Sequence, residues 1–143
     1  MWNFKTPGIP DENFERIDKV PITKEEVRTI QISKARLKPG HIIYDIGCGS
    51  GSISVEAALQ IESSGKVFAI DFDENAIELT KKNAEKLNVM INKIYISDFE
   101  KENILNQHNT RVNDAQVFSN YHIRSGGILR TGRLSGILRK GFK

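Results

Sequence analysis

A single cysteine, Cys48, stands in the 143 residues, so no disulfide can form within the chain and a disulfide-stapled secreted scaffold is excluded. The three histidines, His41, His108 and His122, are scattered and show no metal-site spacing, so no metal is expected. No apolar run approaches the roughly 20 residues of a membrane-spanning helix. The opening residues Met1-Trp2-Asn3-Phe4-Lys5 lack the apolar core of a secretory signal. A cytoplasmic protein with no membrane partner is therefore expected. Acids are missing from one region altogether: none follows Asp114. Residues 1–107 carry 14 Lys and Arg against 17 Asp and Glu, a net −3, whereas 108–143 carry 7 against 1, a net +6.

What is present concentrates in seven residues, Asp45-Ile46-Gly47-Cys48-Gly49-Ser50-Gly51. They follow an apolar run, His41-Ile42-Ile43-Tyr44, that reads as a short buried strand, and precede Ser52–Leu59, which reads as a helix. A glycine-rich turn between a strand and a helix N-terminus lets backbone approach a ligand closely and presents N–H groups to polar or anionic atoms. The dinucleotide fingerprint G-x-G-x-x-G fails here, because the sixth position counted from Gly47 is Ser52. The pattern is instead D-x-G-x-G-x-G, which resembles the first motif of S-adenosylmethionine (SAM) dependent methyltransferases. In that class the turn packs against the methionine part of SAM. The bland alternative is an ordinary tight strand–helix turn. Cys48 reads as a small residue of the turn, with a nucleophilic thiol near a helix start as the alternative.

Two further acids extend the pattern. Lys66–Ile70 is a second apolar run, and Asp71 ends it. An acid at the end of the second strand of a doubly wound sheet accepts hydrogen bonds from ribose hydroxyls. Asp73 is better placed to cap the helix that follows, in which Ala76, Ile77, Thr80, Ala84 and Leu87 recur at helical spacing. Ile91–Ile96 alternates like a third strand. Asp98 after it is a candidate for the adenine amino group, beside Phe99, with a plain polar loop end as the alternative.

The order of elements is then an extended arm punctuated by Pro7 and Pro10, a helix beginning near Thr23, a strand, helix 52–62, strand 66–71, helix 74–88 and strand 91–97. Thr23 with Glu26 reads as a capping box, Ile22 with Val27 as a hydrophobic staple, and Pro39-Gly40 as the stop. The alternation predicts an α/β fold, a Rossmann-like parallel sheet with right-handed crossovers, of which the first three strands and their helices are present. Residues 1–107 read as the arm and SAM-binding half of one domain, and 108–143 as a basic, atypical tail. Ala115–Ser119 within the tail is a candidate fourth strand.

Gly8-Ile9-Pro10-Asp11-Glu12, Lys19–Arg28 (KVPITKEEVR) and the Asp45–Ser52 turn together resemble the decarboxylating precorrin-6Y (cobalt-precorrin-6B) methyltransferases of cobalamin biosynthesis, over roughly residues 4–100. The resemblance implies transfer of a methyl group from SAM to carbon 15 of a tetrapyrrole precursor, with loss of carbon dioxide, and a homo-tetramer. It implies that Gly47, Gly49 and Gly51 line the SAM site with Asp45 and Cys48, that Asp71 holds the ribose, that Asp98 lies near the adenine, and that Thr23 contacts the cofactor from the arm. It names no catalytic residue, since alignment of donor and acceptor suffices. The family pattern continues through further strands, and the last 36 residues here depart from it, so the chain as written is expected to be poorly active or inactive. Two other readings stay open: a non-catalytic SAM-binding module, and an RNA or protein methyltransferase gripping phosphate with its basic tail. The acidic balance of 1–107 argues against a nucleic-acid partner.

Overall fold

A computed structural model describes residues 2–96 and 115–119, with Phe118 the side chain described in the second segment. The elements are α1 (Glu25–Ala35), β1 (Ile42–Ile46), α2 (Ser52–Ile61), β2 (Lys66–Asp71), α3 (Glu74–Lys86), β3 (Lys93–Ile96) and β4 (Ala115–Ser119), preceded by a single 3-10 turn at Asp11–Asn13. The four strands form one parallel sheet in the order β3-β2-β1-β4. Ala115–Ser119 is thus a strand of the sheet, paired along its length with β1. None of the described helices is long and apolar enough to cross a membrane.

The chain moves outward from β1 to β2 to β3 and then returns to the other side of β1. That reversal makes the carboxyl ends of β1 and β4 a topological switch point, where open α/β sheets bind ligands. Beneath it, Ile43 and Val67 of the sheet pack with Ile53, Ala57 and Ile61 of α2, Ile32 and Ala35 of α1, and Phe118 of β4. Each such isoleucine taken from water contributes roughly 1.5–3 kcal/mol. A second cluster joins Ile9 and Phe14 of the arm to Val55, Ala84 and Leu87. The N-terminal arm is therefore packed against α2 and α3 as part of the core.

Local chemistry sets the ends of α3. Asp73 caps its start, its side chain accepting from the Asn75 N–H at 2.9 Å. At the other end Asn88 turns left-handed, the Val89 N–H reaches Ala84 O at 2.9 Å and the Asn88 N–H reaches Glu85 O at 3.0 Å. This Schellman closure ends the helix two residues before the expected 88.

The first helix corrects three expectations. Its N-cap is Lys24, with no side-chain cap, so Thr23 does not form the capping box; the Thr23 carbonyl instead accepts from Arg28 Nη1. Val27 is 50% exposed rather than stapled to Ile22, which packs on the arm cluster. The helix stops at Ala35, where Arg36 turns left-handed, short of Pro39-Gly40. The reason is the buried face: Arg28, Ile32 and Ala35 point inward. A fully buried guanidinium with protein acceptors occupies the inward face, while the apolar Val27 and Ile30 are 50% and 60% exposed.

Candidate functional site

The turn between β1 and α2 sits at the switch point and spends its own donors. Gly47 and Cys48 N–H both donate to Ile70 O, at 2.8 and 3.0 Å. Gly49 N–H donates to Asp71 Oδ2 at 2.9 Å. Ser50 N–H donates to Pro21 O at 3.3 Å, and Gly51 N–H to Cys48 O at 2.8 Å. A phosphate cradle needs N–H groups turned toward the ligand. Here all five are engaged within the protein, so the turn offers a close-fitting backbone wall and none of its own N–H groups is left for a phosphate.

Two carboxylates frame it. Asp45 at the end of β1 is fully buried. Its Oδ2 accepts from Ser54 Oγ at 2.5 Å, while Oδ1 has no hydrogen-bond partner among the described residues. Burial pushes its pKa up to about 6; Ser54 pulls it down, and the negative charge of Asp71 raises it further. Asp71, 3% exposed at the end of β2, accepts from Gly49 N–H and, through Oδ1, from Asp73 N–H at 3.1 Å. The Asp71 carboxylate thus ties the turn to the β2 end. Between them the Cys48 thiol is pushed up from its ordinary pKa by burial and then by the charge of Asp45, which leaves it protonated and unfit as a nucleophile.

The back of the turn is closed by α3 and the arm. Thr80 Oγ1 donates to Gly49 O at 3.1 Å and lies 3.4 Å from Cys48 Sγ. A Cβ at Gly51 would fall 2.7 Å from Thr80 Cγ2, and Gly51 has φ +77°, so both space and backbone demand glycine there. A Cβ at Gly49, φ +54°, would meet Pro21 O at 2.9 Å. Asn83 donates to Ser50 O at 2.8 Å. The arm is clamped by ions. Arg28 Nε donates to Glu56 Oε1 at 2.6 Å and Nη1 to Asp11 Oδ1 at 3.1 Å, while Nη2 reaches Ile9 O. Glu56 also accepts from Gly8 and Ile9 N–H, at 2.8 and 3.1 Å. The Arg28 guanidinium lies over the Phe14 ring at 4.7 Å.

Of the residues expected at the site, Asp45, Gly47, Cys48, Gly49, Gly51 and Asp71 come together at one end of the sheet. Thr23 lies two residues from Pro21, the arm residue that touches the turn. Asp98 and Phe99 fall outside the described residues. Sequence reasoning missed Arg28, Glu56, Ser54, Thr80 and Asn83. One signal was available: Glu56 is the only charge in α2, Ser52–Ile61.

A family model described as the precorrin methyltransferase domain matches residues 13–115. The chain is 53% identical over 95 residues to a probable cobalt-precorrin-6B C(15)-methyltransferase (decarboxylating) of Saccharolobus solfataricus, covering 66% of this chain and 48% of that protein. It is 56% identical over 88 residues to the similarly named protein of Pyrobaculum calidifontis, covering 62% and 45%. Among solved structures, precorrin-6y C5,15-methyltransferase from Geobacter metallireducens superposes with a TM-score of 0.59 at 32% identity, over 70% of this chain and 52% of that one. The chain spans about half the length of the relatives it matches. With a family match that spans most of its length, from the end of the arm through the glycine turn to the start of β4, the chain belongs to the precorrin methyltransferase family.

Proposed function

We propose that this chain binds SAM at the glycine turn and serves methyl transfer to carbon 15 of a cobalt-precorrin, with decarboxylation of the ring's acetate arm. The observation that carries the reading is the turn itself: an acid leads it, its N–H groups are engaged within the protein, and a second buried acid ends the neighbouring strand. Such a wall fits a ligand that brings a sulfonium and an amino acid rather than a pyrophosphate. The identity to proteins named for this reaction supports the same reading.

SAM supplies an activated methyl group when bound. The chain's own residues hold and exclude. Glycine at 49 and 51 lets Pro21 and Thr80 close on the back of the turn, so that its backbone, with Gly47, is held against the methionine part, and Cys48 keeps the turn filled from within. Asp45 lies buried at the same end with an oxygen that has no partner among the described residues, and in the proposed complex that oxygen accepts from the SAM ammonium. Asp71 serves the ribose; carboxylate oxygens accept more than one donor each. Thr23 from the arm and Asp98 after β3 complete the set. Rate enhancement rests on alignment of donor and acceptor, with no general base.

Binding discriminates this reading from a nucleotide site. Titration of the purified chain should show a complex with SAM or S-adenosylhomocysteine and none with NAD at the same concentration. NAD binding without S-adenosylhomocysteine binding would overturn the proposal.

A further inference from the structure

We infer that Asn83 is a positioning residue for the cofactor turn, joining the N-terminal arm to the turn backbone so that arm docking and cofactor binding are coupled. The inference rests on the SAM reading and assigns it a residue outside the glycine motif. Asn83 is fully buried on α3. Its amide nitrogen donates to Ser50 O at 2.8 Å and to Glu15 O at 3.2 Å, and its amide oxygen accepts from Glu15 N–H at 2.6 Å. The amide orientation follows from the partners, two carbonyls on the nitrogen and one N–H on the oxygen. Three of its hydrogen bonds are thereby spent on backbone: one in the turn and two in the arm.

The other backbone group of Ser50 closes the loop. Its N–H goes to Pro21 O in the same arm. The Ser50 peptide groups are thus held by α3 on one side and by the arm on the other. The arm is fastened independently at Gly8 and Ile9 through Glu56 and Arg28, and by Ile9 and Phe14 in the core. A displacement of the turn therefore breaks contacts to both Asn83 and Pro21, and release of the arm frees the Ser50 N–H. A ligand that requires one geometry of the turn stabilises the docked arm, and by reciprocity the docked arm tightens the ligand.

The test uses the full chain and two probes. S-Adenosylhomocysteine carries the amino-acid part that the turn faces; 5′-methylthioadenosine lacks it. Asn83→Ala should weaken S-adenosylhomocysteine about tenfold, the scale of one lost buried hydrogen-bonding group. It should change 5′-methylthioadenosine less than about twofold. Lys86→Ala, which removes only the exposed pair to Glu15 at 2.7 Å, should alter neither. An unchanged S-adenosylhomocysteine affinity in folded Asn83→Ala overturns the inference alone. A wild-type chain that binds neither probe removes the SAM reading and the inference with it. Should Asn83→Ala fail to fold, hydrogen exchange on the wild-type chain decides: saturating S-adenosylhomocysteine should slow exchange of the arm amide at Glu15, which donates to Asn83, more than at Gly8 and Ile9, which donate to Glu56, and an unaltered rate at Glu15 is contrary to coupling.

Discussion

The two supports of the glycine turn are fastened by different physics. The arm, which meets the turn through Pro21 O, is itself fastened by buried ions: Arg28 and Glu56, 0% and 1% exposed, pair at 2.6 Å and share their remaining capacity with Asp11 and with backbone groups. On the α3 side the fastening is neutral: Thr80 and Asn83 hydrogen-bond the carbonyls of Gly49 and Ser50, and the Thr80 side chain packs where Gly51 has no Cβ. The difference matters because failure costs differ. A stranded buried ion loses solvation it cannot recover, whereas a missing neutral donor leaves one carbonyl short. The arm side therefore gives all-or-none docking, and the α3 side sets fine geometry.

That contrast can be broken in graded steps. Glu56→Ala should cost about 3–5 kcal/mol in denaturant unfolding, because the buried Arg28 keeps only Asp11 as an ionic partner and the Gly8 and Ile9 N–H groups lose their acceptor; Arg28→Met with Glu56→Leu should recover the ionic part of that loss, and equal losses in single and double variants would refute the ionic account. Gly51→Ala should cost about 3 kcal/mol, from strain at positive φ and overlap with Thr80, and should abolish S-adenosylhomocysteine binding in calorimetry. Asp45→Asn tests the front of the turn by pH. The folded pKa of about 6 lies above the ordinary 3.8, so the folded state holds a proton that the unfolded chain has released. Stability of the wild type should then fall as pH rises from 3.8 to about 6, with the full penalty present above that window. Asp45→Asn should be more stable by on the order of 2–3 kcal/mol at neutral pH and equal to wild type below the window. Thr80→Val keeps the shape and removes the donor to Gly49 O, for a loss of about 1 kcal/mol. Lys81→Ala, which breaks the exposed pair with Glu78 at 2.7 Å, should leave the unfolding midpoint where it is.

Local order was legible where one segment carries its own signal. The glycine turn, α3 with its Asp73 cap, β2, and even Ala115–Ser119 inside a basic stretch follow from spacing and turn chemistry over a few residues. The first helix misled because its inward position is polar. Val27 and Ile30, 50% and 60% exposed, carry the apolar period, while Arg28 carries the contacts. No periodicity rule assigns a core site to arginine; its partners must first be assembled, and they lie 17 and 28 residues away in Asp11 and Glu56. The same separation in sequence hid Asn83, whose partner Glu15 is 68 residues distant. The acids were legible as site residues by position at strand ends. That Asp71 ties down Gly49 while Asp45 keeps an oxygen without a partner among the described residues follows only from the packing of β1 against β2.

Calorimetric titration of S-adenosylhomocysteine into the wild-type chain and into Asp71→Ala tests the proposed SAM site on the turn and Asp71. Loss of hydrogen bonds to a charged group predicts weakening of about 1.5–3 kcal/mol, roughly ten- to a hundredfold. Equal affinity in the two proteins, or no binding by the wild type, would contradict it.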